Sequence, residues 1–126
     1  MPSSRSASRE VVNRFIGRYN ALDVEGLLEC YSEDVEFAAH PGEYAVSGKE
    51  ELRRLATASA AAFSRREIRP LVWIIDGTRI VVECHFSAVT AEELPDGTPA
   101  GATLEKPGCA VFVVRDGRVV RHFEYG

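Results

Sequence analysis

Sulfur is scarce in this chain. Three cysteines, Cys30, Cys84 and Cys109, and a single methionine stand among 126 residues. An odd cysteine count without a CxxC pair argues against a disulfide framework. It fits reduced thiols in a cytoplasmic protein. A zinc site needs clustered ligands at characteristic spacings. Cys84 and His85 are adjacent, but neighbours on a strand face opposite ways, so no metal site is expected. Long apolar runs are also missing. The longest, LVWII and CAVFVV, are far too short to span a bilayer, so no membrane partner is expected. The first residues, MPSSRSASRE, lack the apolar stretch of a secretory signal. Residues 1–7 are expected to form a flexible tail and 8–126 a single domain. Nor is there an excess of positive charge. Nineteen acidic and 15 basic residues give −4, with no basic stripe, which excludes nucleic acid as a natural partner. No Gly-x-Ser-x-Gly, phosphate loop or dinucleotide fingerprint occurs, and no cofactor is expected.

What the chain does have is amphipathic periodicity, and 45% of its residues are hydrophobic. Val12, Phe15, Ile16 and Tyr19 recur at helical spacing, which predicts a helix over roughly residues 8–21. Asp23 is placed to cap a short second helix carrying Leu27, Leu28 and Tyr31. SEDVEFAAHPG then reads as a short extended piece ended by Pro41-Gly42. SGKE, Ser47 to Glu50, has the form of a capping box. The third helix it opens would bury Leu52, Leu55, Ala56, Ser59 and Phe63. The charges from Lys49 to Arg54 and the stretch SRRE read as solvated helix surface. Beyond Arg66 the pattern turns to strands, with hairpin signals at Asp76-Gly77 and Asp116-Gly117. AEELPDGTPAG between them is a long polar loop. The expected fold is α+β: three N-terminal helices, then about four long strands in a curved, mostly antiparallel sheet, with a cone-shaped cavity between them.

The closing stretch, VVRHFEYG, alternates. Val120, His122 and Glu124 share one face, and Val119, Arg121, Phe123 and Tyr125 the other. A carboxylate on a buried strand face is costly unless it is paired, so its presence asks for a reason. With a two-residue Asp76-Gly77 loop, Trp73 and Phe86 share a face with Ile80, Val82 and Cys84. That face suits either plain core or an apolar cavity wall. Glu83, His85 and Ser87 point the other way.

The stretches VVNRFIGRYNALDVEGLLECYSEDVEF, HPG, VSGKEELRRL and VFVVRDGRVVRHFEY, in this order and spacing, resemble the SnoaL-like branch of the nuclear transport factor 2-like superfamily. That group includes polyketide cyclases and ketosteroid isomerase, and the resemblance runs from about Val11 to Gly126. It implies a small apolar ligand in the cavity and cofactor-independent proton transfer, of isomerase, cyclase or dehydratase type. It also implies a homodimer through the outer sheet face.

Ketosteroid isomerase uses an Asp base and an oxyanion hole of a Tyr and a protonated Asp. Here the Tyr position holds Phe15, and the protonated-Asp position falls at Cys109 or Ala110. The base position is His40 when aligned on the proline and Ala39 when aligned without gaps. The epoxide-hydrolase relatives keep an acid before a closing tyrosine, which Glu124 before Tyr125 resembles. Their Arg-x-Asp is missing from VVECHFSAV.

The candidate catalytic groups are therefore His40 as base, with Glu124 and His122 as an acid or orienting pair. Tyr19 is a candidate hydrogen-bond donor. Phe15, Tyr19, Trp73, Val82, Cys84, Phe86 and Phe112 are the candidate ligand wall. The competing expectation is a non-catalytic binding or dimerisation module of the same fold.

Overall fold

The computed structural model describes residues 4–40 and 44–125, and the side chains among them other than those of residues 4–6, 40 and 44. The first helix, α1, spans Ser4–Asn20, beginning earlier than the periodicity predicts. Its buried face is Val11, Val12, Phe15 and Ile16. A second helix, α2, covers Val24–Leu28 and is capped as expected: the Gly26 amide donates to the Asp23 carboxylate at 2.9 Å. A side chain at Gly26 would strike Asp23 and Arg18.

Two strands come next, β1 (Tyr31–His40) and β2 (Tyr44–Ser47), before α3 (Lys49–Ala62). The helices thus do not all precede the sheet. β3 (Phe63–Asp76), β4 (Arg79–Thr90), β5 (Thr103–Arg115) and β6 (Arg118–Tyr125) complete a six-stranded open sheet in the order β2-β1-β6-β5-β4-β3. Every pairing is antiparallel except β1 with β6, which is parallel.

Two local readings of the sequence are corrected. Ser47 is not the cap of α3. Gly48, at φ 90°, takes that position without a side-chain bond, and the Glu51 carboxylate accepts from the Ser47 amide at 3.2 Å. Phe63 belongs to β3 rather than to the helix.

Register breaks decide which side chains reach the interior. In β3 the pairing slips between Pro70 and Val72, so the extra residue Leu71 is 55% exposed while Ile68 and Trp73 both turn inward. In β6 it slips between Val119 and Arg121, leaving Val120 as the bulged residue. Val119 is consequently fully buried on the same side as His122, contrary to strict alternation, which puts Val120 there.

The helices pack on one face of the sheet. Phe15, Tyr31, Phe37, Phe112 and Val119 form the centre of that core. The aromatic contacts converge on Phe15, whose ring meets Tyr31 edge-on at 5.7 Å and Phe112 at 5.4 Å.

Candidate functional site

Between α1 and the concave side of the sheet lie two neighbouring chambers. The first, about 300 Å³, is walled by Ile16, Ile68, Val82, Phe86 and Ala110, with Lys106 among the lining residues. The second, about 240 Å³, lies towards α3 and is walled by Leu27, Leu52, Leu55 and Ala56, with Ser59 and Arg66. Phe15, Tyr19, Ala39, His122 and Glu124 line both. The ionisable pair on β6 therefore stands where the two chambers meet.

His122 is 2% exposed and stacks on the Phe112 ring at 4.3 Å. Burial holds its imidazole down to about 3, so the ring is neutral. A neutral imidazole offers one donor and one acceptor. Tyr31 Oη lies 2.8 Å from Nδ1, and Nε2 faces Glu124 Oε1 at 3.4 Å. The tautomer that satisfies this chain has the Tyr31 hydroxyl donating to Nδ1 and the Nε2–H directed at Glu124. The Tyr31 phenol is held well above its ordinary value, mainly by burial and then by the Glu124 charge, so it keeps its proton.

Glu124 is the group open to a ligand. Its side chain is 48% exposed, and it lines both chambers. Burial nevertheless pushes its carboxyl up, with Lys106 and then Arg66 pulling the other way. The two facts agree, because a side chain on a concave wall touches solvent while low-polarity protein surrounds it on its other sides. Such a carboxyl exchanges a proton closer to neutrality than a surface glutamate does.

Arg66 completes the polar set. It is 2% exposed; its Nε donates to the Tyr19 carbonyl at 2.8 Å and its Nη1 to Ser59 Oγ at 2.9 Å. Its guanidinium lies over the Tyr19 ring, 3.7 Å from the centroid. Burial pushes the Tyr19 phenol up to about 12, against the opposing Arg66 charge. Asn20, next along α1, clasps the β3 backbone at Ile68 in both directions, accepting at 2.8 Å and donating at 3.3 Å. The end of α1 and the start of β3 are thereby tied together around Arg66.

A family model described as the SnoaL-like domain matches residues 12–122. The chain belongs to the SnoaL-like family. Solved structures agree. A candidate polyketide cyclase from Xanthomonas campestris pv. campestris is 25% identical, with a TM-score of 0.87 over 98% of this chain and 93% of that one. An epoxide hydrolase of the LEH-like type from M. tuberculosis has a TM-score of 0.81 at 15% identity, over 98% of this chain and 84% of that one. A protein of ketosteroid isomerase-like fold from Catenulispora acidiphila DSM 44928 has a TM-score of 0.78 at 13% identity, covering 93% and 85%. The last two show the shared fold alone. Among curated proteins, none matches the sequence.

In this SnoaL-like protein six of the seven candidate wall residues do line the first chamber: Phe15, Tyr19, Val82, Cys84, Phe86 and Phe112. Trp73 does not. It turns inward further along β3 and takes the Arg9 guanidinium over its ring at 4.6 Å. His122 and Glu124 come together as the alternation of β6 implies. The backbone of His40 pairs with Tyr125, one step beyond the Ala39–Glu124 pair, and its side chain lies outside the described residues. His85 lies on the other sheet face, 3.3 Å from Glu105.

Two residues of the candidate site are not among those the sequence suggests. Tyr31 is assigned there to the second helix but opens β1, where its ring reaches His122. Arg66, read as solvated surface, is instead buried, although Ser64, Arg65 and Glu67 around it are exposed. Its strand begins at Phe63, and the slip between Phe63 and Arg65 sets Arg66 inward.

Proposed function

We propose that this SnoaL-like protein binds a small apolar molecule in a cone-shaped cavity and moves a proton on it without a cofactor. Glu124 is the general acid/base, His122 orients its carboxylate, and Tyr31 locks the imidazole. The observation that carries this reading is a single one: a carboxyl with raised proton affinity stands at the junction of two apolar chambers, backed by a neutral histidine at 3.4 Å. A base placed beside the carbon adjacent to a carbonyl takes its proton, the C–H electrons move onto the carbonyl oxygen, and the protonated carboxyl returns the proton at the same or another carbon. Tyr19, whose phenol keeps its proton on the wall shared with Glu124, is the hydrogen-bond donor for the developing negative charge. Glu124 fills the base role because its position and its tuned acidity both favour it.

The test is deuterium exchange of the ring α-protons of 2-tetralone in buffered D₂O, followed by NMR. The wild-type protein is expected to exchange them faster than buffer alone. Glu124→Gln should lower the protein-dependent rate roughly 10²- to 10⁴-fold. No protein-dependent exchange in the wild type, with 2-tetralone bound, would favour the second reading.

That second reading is a binding and dimerisation module, and one observation favours it. On the sheet face away from the helices, the paired residues Ile74, Val81, Val111, Phe123 and Ala38 form one apolar row across five strands. Ile74 in it is 60% exposed, and Leu71 and Val72 beside it are 55% and 45% exposed. The next row carries charges of both signs, Asp76, Arg79, Arg121 and Glu36, so a second copy of the chain fits it by charge as well as by apolar area. Binding, catalysis and dimerisation are compatible in one molecule.

A further inference from the structure

We infer that the ligand of the cavity carries a carboxylate, and that Arg66 holds it in the chamber beside α3. This rests on the ligand-binding reading above and adds the chemistry of one end of the ligand.

Arg66 is the one permanently charged side chain among the buried described residues. Its partners there are all neutral: a backbone carbonyl at 2.8 Å, a serine hydroxyl at 2.9 Å and the face of a tyrosine ring at 3.7 Å. Among the described residues no carboxylate forms an ion pair with it, whereas Arg18, Lys49 and Arg53 at the surface all have one. A buried charge without a counter-charge is a standing cost, and folds retain one when something else supplies the opposite sign.

Glu124 is the nearest acid on the shared wall, and its carboxyl is directed at His122 rather than at Arg66.

The geometry suits a carboxylate. Bonds from Nε and Nη1 pin the guanidinium, and the ring of Tyr19 covers one of its faces. A planar, pre-oriented fork of this kind matches the two oxygens of a carboxylate. The rest of the chamber, Leu27, Leu52, Leu55 and Ala56, offers no second cation, which disfavours a doubly charged phosphate. An acidic head at Arg66 leaves the apolar body of the ligand to pass Glu124 into the larger chamber.

The test compares 2-naphthoic acid with 2-naphthamide, its neutral isostere, by titration calorimetry at pH 7 with the full chain. The acid is expected to bind about ten-fold tighter or more, the range of a charge-assisted over a neutral hydrogen bond. Arg66→Gln should bring the acid down to the level of the amide, and cooperative urea unfolding of the variant reports that it is folded. Lys106→Gln, which removes the cation of the other chamber, should leave the preference intact. Equal wild-type affinities would overturn the inference while sparing the cavity reading. So would a preference that survives Arg66→Gln or vanishes in Lys106→Gln. Binding of neither compound would overturn both. The wild-type comparison stands even if Arg66→Gln does not fold. Arg66→Lys, which keeps the charge and loses the fork, should then show an intermediate preference.

Discussion

His122 is neutral because of where it sits, and that has a measurable consequence. Its folded value is about 3 against 6.5 in an unfolded chain, so between those values the unfolded state takes up a proton that the folded state refuses. The stability this gives is complete above 6.5 and is lost as pH falls towards 3. Glu124 acts in the opposite sense. Its carboxyl is raised above 4.5, so the folded state keeps a proton the unfolded state has released, and stability falls as pH rises through the raised value. Glu124→Gln removes that opposing trend. Urea unfolding of this variant should give about 2 kcal/mol less stability at pH 4.5 than at 6.5, the two ordinary values of these groups. A level profile would mean that the imidazole is not held neutral. Tyr31→Phe, which leaves Nδ1 without its 2.8 Å partner, should cost about 1–3 kcal/mol, read from the same urea midpoint. At this scale the sequence is informative for Glu124 and His122, because a polar pair on an apolar strand stands out. It is silent for Arg66, whose neighbours in SRRE are as charged as it is and whose inward turn depends on a register slip.

Among the elements, turns and helix faces are legible, and breaks in regularity are not. Asp116-Gly117 forms a turn with φ of 51° and 74°, the positive pair that a two-residue hairpin prefers. Gly117→Ala would place a methyl group in that left-handed region and should cost about 1 kcal/mol in thermal or urea unfolding. Asp23 is legible too, because capping is local chemistry between a side chain and an amide three residues on. The bulge at Val120 is not, since an extra residue carries no composition signal and strict alternation assigns Val119 to the wrong face. Deleting Val120 tests how far the bulge matters. The deletion leaves Val119 opposite Val114 and Arg121 opposite Val113 in a regular ladder, so Val119 and His122 both keep facing inward. Cooperative unfolding and naphthoate binding are therefore expected to persist, and loss of binding in a folded variant would show that the bulge itself shapes the site. Why SGKE does not act as a capping box is equally local. Gly48 adopts a backbone angle that serine would resist, so the glycine takes the cap and Ser47 stays in β2.

Across the whole molecule, the sheet is covered on one side only. If the apolar outer row meets a second copy, Ile74→Glu should turn a dimer into a monomer in sedimentation or light scattering, with stability otherwise little changed because Ile74 is 60% exposed in the protomer. A wild-type monomer at high concentration would remove that reading. The α+β class, the order of most elements and the two strand hairpins can be read in the sequence. The pairing of β1 with β6 cannot, because it joins segments about ninety residues apart and follows from topology rather than from any local pattern (Tyr31 lies opposite Val119). That pairing closes the sheet between its two parts. β6, the sixth of these strands in chain order, lies in the interior of the sheet, with β2 and β1 on one side and β5, β4 and β3 on the other. It alone pairs the two parts of the sheet, and its His122 is bonded to Tyr31 of β1 and stacked on Phe112 of β5. The strand that carries the ionisable pair is thus also the one that joins the sheet. Because β6 carries the ionisable pair and also joins the two parts of the sheet, any change that frays this one strand undoes the chambers and the chemistry together.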